Sequence, residues 1–130
     1  MELFDKIKTA LEQLLNTTIS VGILPSSQNS ICIRLSPGAD RTAYLDRGRV
    51  YRMSFQVLVK NNSQKEAIRL IHEIADYLDQ LTTGDLTLSD NRFQFIQCEV
   101  YNQPNFVEKT EANEYIYTAL FNAEYEKKGE

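Results

Sequence analysis

Residues 44–81 read YLDRGRVYRMSFQVLVKNNSQKEAIRLIHEIADYLDQL. Within this stretch the apolar period changes from that of a strand to that of a helix, and the change decides the fold. Tyr51, Met53, Phe55, Val57 and Val59 alternate with Arg52, Ser54, Gln56 and Lys60. That alternation predicts a long strand with one buried face. Asn61-Asn62-Ser63 then turns the chain. Ser63 and Glu66 have S-x-x-E spacing, the capping box in which each side chain satisfies an orphan backbone N–H at a helix start. Ala67, Ile68, Ile71, Ile74, Ala75, Leu78 and Leu81 form the apolar stripe of a helix running to about Leu81, with Gly84 beyond it as a stop. Ahead of the strand, Asp46-Arg47-Gly48 joins Ala43–Leu45 to Arg49. A three-residue loop ending in glycine suits a hairpin whose last loop residue is left-handed.

A second amphipathic helix is predicted from about Glu2 to Leu15. Its stripe is Leu3, Phe4, Ile7, Ala10, Leu11, Leu14 and Leu15, and Glu2 and Asp5 stand in the first turn, where the helix dipole favours acids. Asn16, Thr17 and Thr18 end it. A short strand from about Thr18 to Leu24 follows, stopped by Pro25. After a polar turn at Ser26–Ser30, Ile31, Ile33 and Leu35 alternate with Cys32 and Arg34 as a further strand. Ser36-Pro37-Gly38-Ala39-Asp40 has the least regular pattern.

Two strands close the chain, from about Arg92 to Asn102 and from about Glu111 to Tyr125, with a turn at Gln103-Pro104-Asn105-Phe106 between them. Phe93 and Phe95 share one phase while Ile96, Cys98 and Val100 share the other, which predicts a β-bulge near Phe95 or burial on both faces. In the last strand Tyr115, Tyr117, Ala119, Phe121, Ala123 and Tyr125 lie on one face, and Ile116 and Leu120 on the other. Two readings of that strand stand: it is central and covered on both faces, or its second face meets another subunit. Residues 126–130 are expected to fray.

The element order is α-β-β-β-β-α-β-β. It defines an α+β fold, a mainly antiparallel sheet of about five to six strands covered on one face by two helices. One domain is expected over residues 1–130, with a protruding hairpin at about 37–51. A chain of this size hides roughly two-thirds of its unfolded surface, enough for a core without staples.

The net charge of -4, from 14 basic and 18 acidic residues spread along the chain, disfavours general nucleic-acid coating. Cys32 and Cys98 sit among apolar neighbours in strands, as buried, reduced core residues would. MELFDKIKTALEQLL lacks the basic and continuous apolar regions of a signal peptide, and no run approaches the roughly 18 apolar residues of a membrane span.

Candidate catalytic groups are sparse. His72 is the only histidine; it points roughly 100° off the stripe carried by Ile71 and Ala75 and reads as a helix-surface residue beside Glu73 and Asp76. Asp40, Asp46, Asp85 and Asp90 are loop carboxylates whose spacing fits turns better than a two-acid hydrolase. There is no Gly-rich phosphate loop, G-x-S-x-G or H-E-x-x-H. No catalytic, cofactor or metal residue is assigned. The hairpin draws more attention: Tyr44, Arg47, Arg49 and Tyr51, beside Leu45, are expected contacts because tyrosine and arginine are enriched at interface hot spots, the alternative being an ordinary solvated hairpin. Phe106, Ile116 and Leu120 join them as expected oligomer or partner contacts.

The aromatic–Leu–Asp–x–Gly hairpin at Tyr44–Gly48, the strand at Phe55–Val59, the S-Q-x-E-A helix start at Ser63–Ala67, the early strand ending at Pro25 and the C-terminal strand pair carry a resemblance. The chain resembles the minor capsid, tail-terminator or head–tail joining proteins of tailed bacteriophages and prophages. The resemblance implies a non-enzymatic virion protein of the tail and neck, assembled in the host cytoplasm. It implies a self-assembled ring, commonly a hexamer, that caps the tail tube. The tail-tube protein and the head-connector proteins would be its partners, with no cofactor, membrane or specific nucleic acid. The alternative reading is a small ligand-binding or regulatory α+β module, its apolar pocket lined by Phe93, Phe95 and Phe121.

Overall fold

A computed structural model describes residues 2–26, 29–36, 50–127 and the backbone of 42–44. The elements in chain order are α1 (Glu2–Leu15), β1 (Ser20–Val21), β2 (Ser30–Leu35), β3 (Thr42–Tyr44), β4 (Val50–Asn61), α2 (Gln64–Asp79), β5 (Phe93–Lys109) and β6 (Tyr115–Lys127). All six strands form one sheet in the order β1-β2-β4-β6-β5, with β3 also paired to β4.

β4 organises the sheet. Along one side it pairs antiparallel with β6 from Val50↔Glu126 to Asn61↔Tyr115. Its other side holds two strands in line: β2, registered Ser30↔Lys60 to Leu35↔Phe55, and β3, registered Thr42↔Arg52 to Tyr44↔Val50. The chain leaves the ladder after the Ser36 N–H bonds the Ser54 carbonyl at 3.1 Å, and re-enters at Thr42. The expected hairpin therefore pairs as β3 with β4. Its loop, 45–49, lies outside the described residues, as do 37–41.

The alternation read from the sequence sets the core. Met53, Phe55, Val57 and Val59 of β4 face Ala119, Phe121 and Ala123 of β6, and all are buried. Phe55 and Phe121 stack at 5.3 Å, both without exposed surface. Over this face lie Leu3, Phe4, Ile7 and Leu11 of α1 and Ala67, Ile71, Ile74, Ala75 and Leu78 of α2. Each large side chain so buried contributes about 1.5–3 kcal/mol. Ile68, expected in the α2 stripe, is instead 37% exposed, and Leu70 packs at the core margin. α1 ends where Asn16 turns left-handed (φ 54), a conformation asparagine tolerates.

Several local expectations need correction. Pro104 does not make a turn. β5 runs through it to Lys109, and the chain reverses at Thr110–Glu114, where the Thr110 N–H bonds the Glu114 carbonyl at 2.7 Å and Asn113 is left-handed. β5 is an edge strand, and Pro104 falls in the irregular register between Asn102 and Asn105, so no ladder bond is lost. The predicted bulge near Phe95 is present, between Phe95 and Gln97. β1 is two residues long and parallel to β2, making the sheet mixed; it stops at Gly22 (φ 89) rather than at Pro25. β6 continues through Glu126 and Lys127, which pair with Gln94 and Phe93.

The capping box is half formed. The Ser63 hydroxyl accepts the Glu66 N–H at 3.2 Å, but the Ser63 N–H bonds the Asn61 side chain at 2.9 Å. Glu66 turns instead to Arg69, at 2.6 Å. The asparagine reaches the orphan donor first because it sits two residues upstream in the turn.

Candidate assembly surfaces

The residues proposed from sequence separate by depth. Tyr44, Leu45, Arg47 and Arg49 belong to the hairpin and lie, by side chain or entirely, outside the described residues. Tyr51 is half-buried and stacks on Tyr125 at 5.5 Å. Ile116 packs with Cys32 and Leu58 in a small cluster on the sheet face away from the helices. Leu120 is half-buried, while Phe106 is 50% exposed.

β6 is central, flanked by β4 and β5. Its second face is buried at Ile116, Thr118 and Asn122 within the protomer. Hydroxyls and amides tie that face together: Gln56 donates to the Thr118 hydroxyl at 3.0 Å, Thr118 to the Val57 carbonyl at 2.8 Å, and Ser54 to Asn122. At the same end Lys60, nearly buried, donates to the Pro25 carbonyl at 2.7 Å and lies 4.0 Å from Glu114. These bonds hold the turn before β2 against the sheet.

Among the described residues, the exposed large apolar side chains other than Ile68 of α2 gather at the two edges. At one edge Val21 is 56%, Ile23 79% and Leu35 51% exposed. The Gly22 N–H bonds the Ile33 carbonyl at 3.0 Å, and its left-handed turn swings Ile23 out of the ladder. At the other edge, β5, Tyr101 is 67%, Phe106 50% and Val107 46% exposed. β5 is covered only in its first part. Thr83 donates to the Ile96 carbonyl, the Cys98 N–H bonds the Leu81 carbonyl, and the Val100 N–H bonds the Asp79 carboxylate. The cover ends there, and the three apolar side chains follow. Phe106 meets Tyr117 edge-on at 5.4 Å, and Tyr117 accepts a bond from Gln64 of α2 at 3.0 Å, which fixes the aromatic end of the strand.

No comparable gathering of catalytic groups exists among the described residues. His72 is exposed on α2. The Asp85 carboxylate accepts the Thr82 N–H at 2.8 Å and Asp90 holds Arg92, so both order their turns; Asp40 and Asp46 lie outside the described residues. Asp90 is held below the usual carboxylate range by the Arg92 guanidinium and N–H. Among the described residues no group of three or more His, Cys, Asp or Glu is placed to hold a metal, and no helix is long and apolar enough to cross a membrane. Cys32 and Cys98 are free thiols, both buried. Burial raises the pKa of each, with the Asp79 charge adding to Cys98, which reaches about 12.

Of the three phenylalanines expected to line a pocket, Phe93 and Phe95 meet at a cleft of about 210 Å³ with Leu86 and Leu88, while Phe121 is fully buried in the core. Phe93 also lines a cleft of about 380 Å³ with Leu3, Tyr51, Leu88 and Tyr125, and Glu2 and Asp90 lie at the same cleft.

The chain belongs to the bacteriophage tail terminator protein family, whose profile matches residues 6–127. It is similar to a chain in the solved virion of a native gene transfer agent particle, with a TM-score of 0.58 and 20% identity over 89% of this chain and 84% of that one. A second solved structure matches with a TM-score of 0.51 and 16% identity, covering 98% and 92%. At these identities the two structures speak for the fold. No curated protein matches the chain.

The exposed apolar residues of the edges, Val21, Ile23, Leu35, Tyr101 and Val107, are absent from the sequence-based selection. Their exposure depends on which strands lie outermost, and that is a property of the sheet order.

Proposed function

We propose that the protein is a non-enzymatic component of the phage tail and neck. Identical copies form a ring, six being the expected number, that caps the tail tube and offers a surface to the head connector. The observation that carries this reading is the family match across nearly the whole chain. The two uncovered apolar edges support it, because a ring requires two different patches on each subunit. Assembly would take place in the host cytoplasm, with the tail-tube and head-connector proteins as partners.

The hairpin carrying Tyr44, Leu45, Arg47 and Arg49 is proposed as a further contact of the assembled state, with Tyr51 and Leu120 supporting it from the sheet. The test is light scattering after size exclusion across a hundredfold range of concentration, with negative-stain imaging, alone and with purified tail tubes. Closed rings, free or on tube ends, are expected. A monomer under both conditions overturns the reading. Replacing residues 42–50 by a short Gly/Ser turn should leave a folded protein that no longer assembles. If it assembles as before, the hairpin is not a contact between copies.

A further inference from the structure

We infer that, within the ring reading, the edge at Val21, Ile23 and Leu35 of one copy docks on the distal half of β5, at Tyr101, Phe106 and Val107, of the next. This rests on that reading and names the two surfaces it requires.

The first argument is the apolar exposure of both edges, one of which carries no guard at all. Edge strands of proteins that work alone carry charges, prolines, bulges or a cover that discourage pairing. From Asn16 to Ile33 no residue is charged, in a chain that is 25% charged. The two-residue β1 with Ile23 at 79% exposure is therefore an apolar edge with no charged side chain of its own. On β5 the cover from α2 and the segment after it stops at Val100, just before the exposed apolar group begins. Pro104, the register shifts between Val100 and Glu108, and the charges of Glu108 and Lys109 guard that half of the strand against a continued ladder but leave its apolar side chains exposed. The contact is thus one of side chains rather than a continued ladder.

The second argument is the sidedness of both edges. Val21 registers with Ile33, Leu35 with Phe55, and Phe106 with Tyr117, which puts all three on the helix side of the sheet. Arg34 registers with Gln56, Glu99 with Asn122, and Glu108 with Ile116, which puts these charges on the opposite side. Head-to-tail docking meets apolar with apolar on one side and sets Arg34 near Glu99 or Glu108 on the other. A two-fold contact of β5 with β5 would instead bring Glu99 and Glu108 against their own copies. Pairing the other edge with itself would oppose two Arg34. Charge therefore selects the heterologous contact, which closes into a ring when its rotation allows.

The test is a double variant, Ile23→Cys with Val107→Cys, exposed to a mild thiol oxidant. Both native cysteines are buried, so cross-links report the new pair. The double variant should give a ladder of covalent oligomers ending at one closed size, whereas either single variant gives dimers at most. Separately, Ile23→Glu and Phe106→Glu should each abolish rings, and their equimolar mixture should yield a heterodimer and nothing larger. If wild type forms rings while the double variant cross-links no further than the singles, the assigned edges are wrong and the ring reading stands. If wild type forms no ring, alone or on tail tubes, the ring reading falls and this inference with it.

Discussion

The Glu12 carboxylate accepts the backbone N–H of Ile19 at 2.9 Å, joining the last turns of α1 to the chain entering β1. Lys8 donates to the same carboxylate at 3.0 Å, and the Glu12 side chain is 25% exposed. The Ile19 N–H, and then Lys8, hold its pKa below the ordinary value of 4.5. A carboxylate with a lowered folded-state pKa contributes stability that is complete above the unfolded value and lost as pH falls through the folded one. Glu12→Ala should cost about 1 kcal/mol at neutral pH. In denaturant unfolding, the gap between variant and wild type should narrow below pH 4.5. A gap that stays constant into acid would show that lost packing, not charge, sets the cost.

Phe55→Ala or Phe121→Ala removes half of a fully buried stacked pair at the centre of the sheet. Each should cost about 3–5 kcal/mol, a large share of the roughly 5–15 kcal/mol that holds such a domain folded. Chemical denaturation of both singles and the double variant measures the coupling. Strict additivity would mean that the two rings do not support one another.

At the start of α2 the division of work between Asn61, Ser63 and Glu66 is testable. Ser63→Ala should cost about 1 kcal/mol, the value of an N-cap side chain. Asn61→Ala should cost about as much, since the buried amide holds the Ser63 N–H. Glu66→Ala should leave stability unchanged within error. A Glu66 effect equal to that of Ser63 would restore the reciprocal box that the sequence spacing predicts.

Much of this fold was legible residue by residue. The alternation from Tyr51 to Val59 and, Ile68 apart, the stripe from Ala67 to Leu78 report burial directly, because strand and helix periods are local. What escaped depends on which strands become neighbours. Pro104 reads as a turn because proline breaks a ladder, and only the edge position of β5 makes it harmless. Val21 and Ile23 read as strand interior because nothing local says that their strand has a neighbour on one side only. The parallel pairing of β1 with β2 was hidden for the same reason. Of the expected contact residues whose side chains are described, Phe106 lies on an exposed apolar edge, Tyr51 and Leu120 are half-buried, and Ile116 packs with Cys32 and Leu58.

Cys32 and Cys98 lie in β2 and β5, strands separated by β4 and β6, so no bridge links them. With both thiols buried and their pKa values raised, a thiol-reactive dye should label neither in the native protein at pH 8 and both after denaturation. Rapid native labelling of either would show that its strand opens locally.

β6 lies in the middle of the sheet, yet it follows every other described element along the chain. A ribosome delivers the flanking strands first and the one that unites them last. β4 waits for its partner across α2 and β5, a long loop to close, so the sheet cannot set while synthesis is unfinished. A subunit interrupted before Tyr115 has no centre around which to fold. In the ring proposed above, incomplete chains would thus be excluded by topology, before any interface is tested.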